Sequence, residues 1–216
     1  GKPWTREETM MAFNLYCKIP FGKIHSGNPQ VQELAVLIGR TPSSVSMKMG
    51  NLGSFDPELK KRGVVGLANA SKMDEEVWNE FNNDWDRLAF ESESLIAELK
   101  NKPLESLVPE DSALVNLDEI PIGKEREVIV RARVNQSFFR AAILSSYNSS
   151  CCSTGLSLTP LLVASHIKPW SIDKENRLNP RNGVCLNSLH DRAFDTGFIT
   201  ITSDFKVKVS PSITDL

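Results

Sequence analysis

Histidine is scarce in this chain, with three among 216 residues, at positions 25, 166 and 190. Any chemistry that depends on imidazole must use one of them. The four cysteines, Cys17, Cys151, Cys152 and Cys185, form no C-x-x-C pair, which argues against a stapling zinc knuckle and for reduced thiols. No apolar run reaches eighteen residues and no signal-peptide pattern opens the sequence, so the expectation is a soluble, cytoplasmic protein with no membrane partner. Net charge is almost absent, at −2. The small total hides a segregation: 10 basic against 5 acidic residues over 1–72, 3 against 14 over 73–121, and 12 against 8 over 122–216. Two basic segments flanking an acidic one suit a chain whose ends face a polyanion while its middle does not.

What is present begins with helices. Thr5 followed three residues later by Glu8 is a capping box, Met11, Leu15 and Ile19 make a buried stripe, and Pro20 ends the helix. Pro29 suits a second helix start, and Val31 to Leu52 resembles a helix-turn-helix. Small Ala35 lies at the helix contact, Gly39 makes the turn, Thr41 and Pro42 cap and start the second helix, and Val45 packs back on the first. The second helix of such a unit enters the major groove, and its outer face here offers Ser43, Ser44, Ser46 and Lys48. Serines and one lysine discriminate weakly among bases; a packing unit that never touches DNA is the alternative. His25 sits in a loop without a carboxylate or cysteine at ligand spacing.

Ser71 caps a long helix predicted from about Met73 to Lys100, with Val77, Trp78, Phe81, Trp85, Leu88 and Leu95 on its apolar face and an acidic face opposite. Residues 101–122, interrupted by Pro103, Pro109 and Pro121, read as a linker. The β-branched text Glu127 to Arg133 is expected to be a strand or ordered arm, followed by a helix from Asn135 or Ser137 to Tyr147. Arg131, Arg133 and Arg140 are candidate phosphate clamps.

The most informative stretch runs from Cys152 to Thr202 and contains two of the three histidines. His166 follows the apolar run Leu161-Leu162-Val163-Ala164 and precedes Pro169, which places it at the end of a short strand. Asn182-Gly183 signals a turn, Val184-Cys185-Leu186 a second strand, and Asn187 or Ser188 can cap a helix carrying His190 and ending at Asp195-Thr196-Gly197. Phe198 to Thr202 and Phe205 to Val209 read as two further strands joined by the Ser203-Asp204 turn.

His166, Asn182 and His190, in this order and spacing, resemble an HNH nuclease motif. The words Cys152-x-Thr154-Gly155, Ala164-Ser165-His166-Ile167-x-Pro169 and His190-x-x-x-Phe194-Asp195-x-Gly197 are similar to the restriction-type branch, as are Gln136-x-x-Phe139-Arg140 and Leu144-x-x-Tyr147 ahead of them. The resemblance implies a ββα-metal site with His166 as the base that activates water, Asn182 as its orienter or a metal ligand, and His190 as metal ligand. It also implies a divalent cation, Mg²⁺ by default with Mn²⁺ or Ni²⁺ as alternatives, and a setting in restriction or defence against foreign DNA. Many HNH enzymes carry an Asp or His ligand immediately before the catalytic histidine; this chain has Ser165, so the ion needs other oxygens, from Asn182, Asp195, water or phosphate. Family members often run on past the last strand, so the chain is expected to be a truncated or partly ordered product.

The chemistry supports those residue types independently. Imidazole is the side chain whose ordinary pKa suits proton removal from water near neutrality, and a cation offsets charge on phosphate and leaving oxygen. The fold class expected is α+β: a helix-turn-helix-like DNA-binding domain over 1–100, a linker over 101–122, and an HNH nuclease domain over 123–216. The partner expected is double-stranded DNA, contacted also by Lys168, Arg181 and Arg192, with a homodimer if both strands are cut. Two other readings use the same residues: a non-catalytic DNA-binding regulator, or a nuclease silent until a protein partner or regulatory ligand binds.

Overall fold

Pro, Asn, Ser and Thr punctuate the first hundred residues often enough that helices start and stop on local signals, and the computed structural model bears this out over the residues it describes, 2–108 and 125–213. The part of the expected linker from 109 to 122 lies outside them. The chain divides into two units, Gly1–Ala142 and Ile143–Leu216.

In the first unit α1 (Arg6–Lys18) opens on the capping box: the Thr5 side chain accepts from Glu8 N at 3.2 Å, and the Glu8 carboxylate accepts from Thr5 N at 3.1 Å. Asn28 caps α2 (Pro29–Leu37), Thr41 caps α3 (Pro42–Leu52), and Pro occupies the first turn of each. Between α2 and α3, Gly39 takes φ +65° and Arg40 N bonds Ala35 O at 2.8 Å. A left-handed residue is what this tight reversal requires. A short α4 (Pro57–Lys61) follows. Phe13, fully buried, stacks on Trp78 at 4.8 Å between centroids, and Met10, Val31, Val45, Met49, Phe81 and Leu88 close the core around them. Burial of a side chain the size of Phe13 is worth about 2–3 kcal/mol.

Two expectations are corrected here. The long acidic helix is two helices, α5 (Lys72–Phe81) and α6 (Trp85–Leu99). Asn82, Asn83 and Asp84 break it: Asn83 adopts φ 146° and the Asp84 carboxylate caps α6. Short polar side chains compete with the helical backbone in this way. Second, Glu127–Arg133 is neither strand nor arm but part of α7 (Glu125–Ser146). Val130, Val134 and Phe138 are spaced four apart and buried, at 7%, 1% and 0% exposure. Tertiary burial along that helical stripe outweighed the β-propensity of Val128-Ile129-Val130.

The charge segregation resolves largely inside the first unit. Arg6 bridges Glu80 and Glu91, Arg87 bridges the same two, Lys18 meets Glu93, Lys100 meets Glu33, and Arg131 meets Asp86. Much of the acidic face is therefore answered by cations from the same unit.

In the second unit β1 (Leu162–His166) and β2 (Gly183–Asn187) form an antiparallel hairpin with His166 opposite Gly183 and Leu162 opposite Asn187. The chain turns at Asn187 into α8 (Ser188–Asp195), then forms a second antiparallel pair, β3 (Ile199–Ile201) and β4 (Val207–Val209). Leu162, Val184, Cys185 and Leu186 are buried. Gly197, at φ +74°, lets the chain leave α8 for β3. No helix among the described residues is long and apolar enough to cross a membrane.

Candidate active site

His166 ends β1, and its orientation is set by the polar loop that follows. The loop folds on itself through short-range bonds. Asp173 Oδ1 accepts from Asn176 N and Nδ2 at 3.2 and 3.0 Å, Asn179 Nδ2 donates to Asn176 Oδ1 at 3.0 Å, and Arg177 Nε donates to Trp170 O at 2.8 Å. The Arg177 guanidinium lies 4.9 Å from the Trp170 ring centroid, and Trp170 meets His166 edge-on at 5.5 Å. His166 Nε2 lies 2.8 Å from Arg177 O. A carbonyl can only accept, so Nε2 carries the proton and, in the neutral ring, Nδ1 is the basic nitrogen.

Asn182 fastens this loop. Its Oδ1 accepts from Lys168 N at 2.8 Å, its Nδ2 donates to Lys168 O and Asn176 O at 3.2 Å each, and its own carbonyl accepts from Ile167 N at 2.9 Å. With both amide ends committed to backbone and 7% exposure, Asn182 is poorly placed to coordinate an ion. Of the two roles expected for it, orienter or ligand, these hydrogen bonds fit the first.

His190 stands on the first turn of α8. Asn187 caps that helix, with Oδ1 accepting from His190 N at 2.9 Å, while its Nδ2 reaches Thr154 Oγ1 at 3.3 Å, Cys151 Sγ at 3.7 Å and His190 Nδ1 at 3.5 Å. The Cys151 thiol titrates at about 7: burial alone pushes it up, and the Thr154 hydroxyl with the amides of Ser153, Thr154 and Asn187 outweigh that. All four cysteines are reduced.

The hairpin register sets the His166 end and the start of α8 at opposite ends of five paired residues, about 13 Å of strand. The α8 carboxylate next to β1 is that of Asp191, close to the Ser165 hydroxyl. Asp191 was not singled out in the sequence; its spacing of four from Asp195 on a helix was the available signal. Burial raises the Asp191 carboxyl, Ser165 partly offsets that, and the nearby charge of Asp195 adds to it. Asp195 itself is exposed at the end of α8. Among the described residues no group of three or more His, Cys, Asp or Glu side chains lies together as a ready metal cage.

The expected nucleic-acid contacts divide. Ser43 is exposed and Ser44 half-buried on α3. Lys48 is corrected: it is 5% exposed, paired with Asp74 and 4.9 Å from the Trp4 ring centroid, because α5 and the N-terminal segment cover that side of α3. Arg131 is engaged by Asp86, and the Arg133 Nε is buried without a hydrogen-bond partner, since both lie on the helix first expected to be a strand or arm. Arg140, Lys168 and Arg181 are exposed, Lys168 reaching Asp173 at 3.7 Å.

An antiparallel hairpin with a histidine at the end of its first strand, closed by a helix, is a ββα unit. Residues 151–202, about a quarter of the chain, match the family model described as HNH endonuclease. That match supports a nuclease acting on nucleic acid. No curated protein and no solved structure matches the chain.

Proposed function

We propose that this protein is a metal-dependent DNA endonuclease that hydrolyses phosphodiester bonds with His166 as general base. The observation that carries the reading is the bond from His166 Nε2 to Arg177 O inside the segment that matches the HNH endonuclease family. A histidine held by one nitrogen keeps the other in a constant direction, which proton abstraction from water requires. His166 Nδ1 takes the proton as water attacks phosphorus and the bond to the leaving oxygen breaks. Asn182 keeps the loop, and through it the ring, in place. Lys168, Arg181 and Arg140 supply positive charge to the backbone of double-stranded DNA.

A divalent cation, Mg²⁺ with Mn²⁺ or Ni²⁺ as alternatives, suits the oxygen and imidazole donors of α8, among them His190 and Asp195, because such ions keep several waters and need only one or two carboxylates from the protein. When bound it supplies Lewis acidity toward the phosphate and a template for the leaving oxygen. The restriction or defence setting follows from the resemblance to the restriction-type branch. Cutting both strands requires two such centres, hence a homodimer. The first unit, with its α2–turn–α3 pair, serves as the DNA-binding domain, through Ser43 and Ser44 rather than Lys48.

The test is supercoiled plasmid incubated with the full chain in Mg²⁺ or Mn²⁺, with an EDTA control. Nicked or linear product that EDTA suppresses supports the reading. Intact plasmid under every metal condition contradicts it and favours a regulator, and cleavage only on addition of a partner or ligand favours a gated effector.

A further inference from the structure

Arg177 acts on His166 from two sides. Its carbonyl accepts from His166 Nε2 at 2.8 Å, a contact that any residue type could offer. Its side chain reaches the other neighbour of the ring: Nε donates to Trp170 O at 2.8 Å, and the guanidinium lies over the Trp170 ring, 4.9 Å from its centroid. That indole meets the imidazole edge-on, with centroids 5.5 Å apart and planes at 87°. Edge-to-face contact is a favoured arrangement of aromatic rings, and a cation over an indole face is attracted to it. The loop has other means of holding its shape, since Asp173 bonds Asn176, Asn179 bonds Asn176, and Asn182 bonds Lys168 and Asn176. The Arg177 side chain adds a link between the two residues that touch the imidazole. A hydrogen bond at Nε2 leaves the ring able to tip about that bond, and the indole edge opposes the tipping. Arginine suits this work because a planar guanidinium can donate from Nε and stack at once, which an ammonium on a flexible stem cannot.

We propose that Trp170 and the Arg177 side chain form a clamp that positions His166 for proton abstraction. The inference rests on the nuclease reading and deepens it: Arg177 is a positioning residue that acts through Trp170, not a contact to DNA phosphate. With the ring clamped, Nδ1 keeps one direction toward the attacking water, where a misplacement of about 1 Å costs on the order of a hundredfold in rate.

The experiment compares Arg177→Lys, Trp170→Ala and Trp170→Phe with wild-type in the full chain, with circular dichroism melts to verify folding. Nuclear magnetic resonance of ¹⁵N-histidine-labelled protein reads the Nε2 proton of His166, assigned by its absence in His166→Ala. Wild-type is expected to show this proton in slow exchange with water, and Arg177→Lys and Trp170→Ala to lose it. Their single-turnover nicking rates should fall at least tenfold while the Kd for DNA stays within threefold, because Arg177→Lys retains the charge. Trp170→Phe, which keeps a ring edge and a ring face, should hold both the proton and most of the rate. A wild-type protein without the slow proton overturns the clamp, as does a folded Arg177→Lys or Trp170→Ala protein that keeps it or nicks within threefold of wild-type. A loss confined to DNA affinity also overturns it and makes Arg177 a phosphate contact. If Arg177→Lys does not fold, Trp170→Ala decides by the same readings. If wild-type does not nick at all, the nuclease reading fails, and the ring proton alone judges the clamp: its persistence in the variants overturns it and its loss upholds it.

Discussion

Replacing Lys48 by Met separates the two roles that the sequence allowed it. As a phosphate contact, its loss would lower DNA affinity uniformly and reduce the salt slope by about one, with stability unchanged. Lys48 is instead 5% exposed and its partner Asp74 fully buried. Asp74 also holds the N-terminus of α5, accepting from Ser71 N at 2.8 Å, so part of its charge stays compensated when the ammonium goes. Removing one partner of a buried pair costs about 3–5 kcal/mol, and Lys48→Met should fall at the lower end. For a unit of this size that is a drop of roughly 10 °C in melting temperature. Adding Asp74→Asn removes the stranded charge, so the double variant should recover part of the loss, a coupling characteristic of groups in contact. Circular dichroism melts of wild-type, both single variants and the double variant measure this cycle, with DNA binding at two salt concentrations beside it. A Lys48→Met protein that melts like wild-type yet loses DNA affinity would refute the argument.

Three further outcomes follow. Asn182→Ala should slow plasmid nicking on the order of a hundredfold while leaving Mn²⁺ affinity within about threefold; a large loss of Mn²⁺ binding would return Asn182 to the ligand set. Burial alone would push the Glu93 carboxyl up, but the Lys18 ammonium and the Asn14 amide outweigh it and hold the group below its ordinary range. Its contribution is therefore present above the unfolded-state value, about 4.3, and lost as pH falls through the lower folded value. Between pH 7 and pH 3 wild-type should lose more urea resistance than Glu93→Gln, and equal pH slopes would contradict the assignment. Gly66→Ala should destabilise by about 1–3 kcal/mol, since a Cβ there would lie 2.2 Å from Ser54 N; an unchanged urea midpoint would count against that backbone approach.

Local signals carried far in this sequence. Thr5, Asn28, Thr41, Ser71 and Asn187 cap helices, because a side-chain oxygen beside unpaired amides acts over three residues and needs no knowledge of the rest of the chain. The apolar runs before His166 and at Val184–Leu186, with the Asn182-Gly183 turn between them, likewise pointed to two strands and a following helix. What was not legible depended on distant partners. Val128-Ile129-Val130 has strand composition, and only the helical core that receives Val130, Val134 and Phe138 makes it helix. Lys48 sits at a position facing outward in a bare helix pair; α5 and Trp4 cover it. Arg177 was invisible because it acts on His166 through a backbone carbonyl, which any residue type possesses. Asp191 was hidden beside a more conspicuous histidine.

The most direct measurement is the single-turnover nicking rate of His166→Ala against wild-type in the same Mg²⁺ or Mn²⁺ buffer, with matched circular dichroism melts. Loss of a general base predicts a fall of about 10²–10⁴-fold with the melt unchanged. A folded His166→Ala protein that cuts within a few-fold of wild-type would contradict the account.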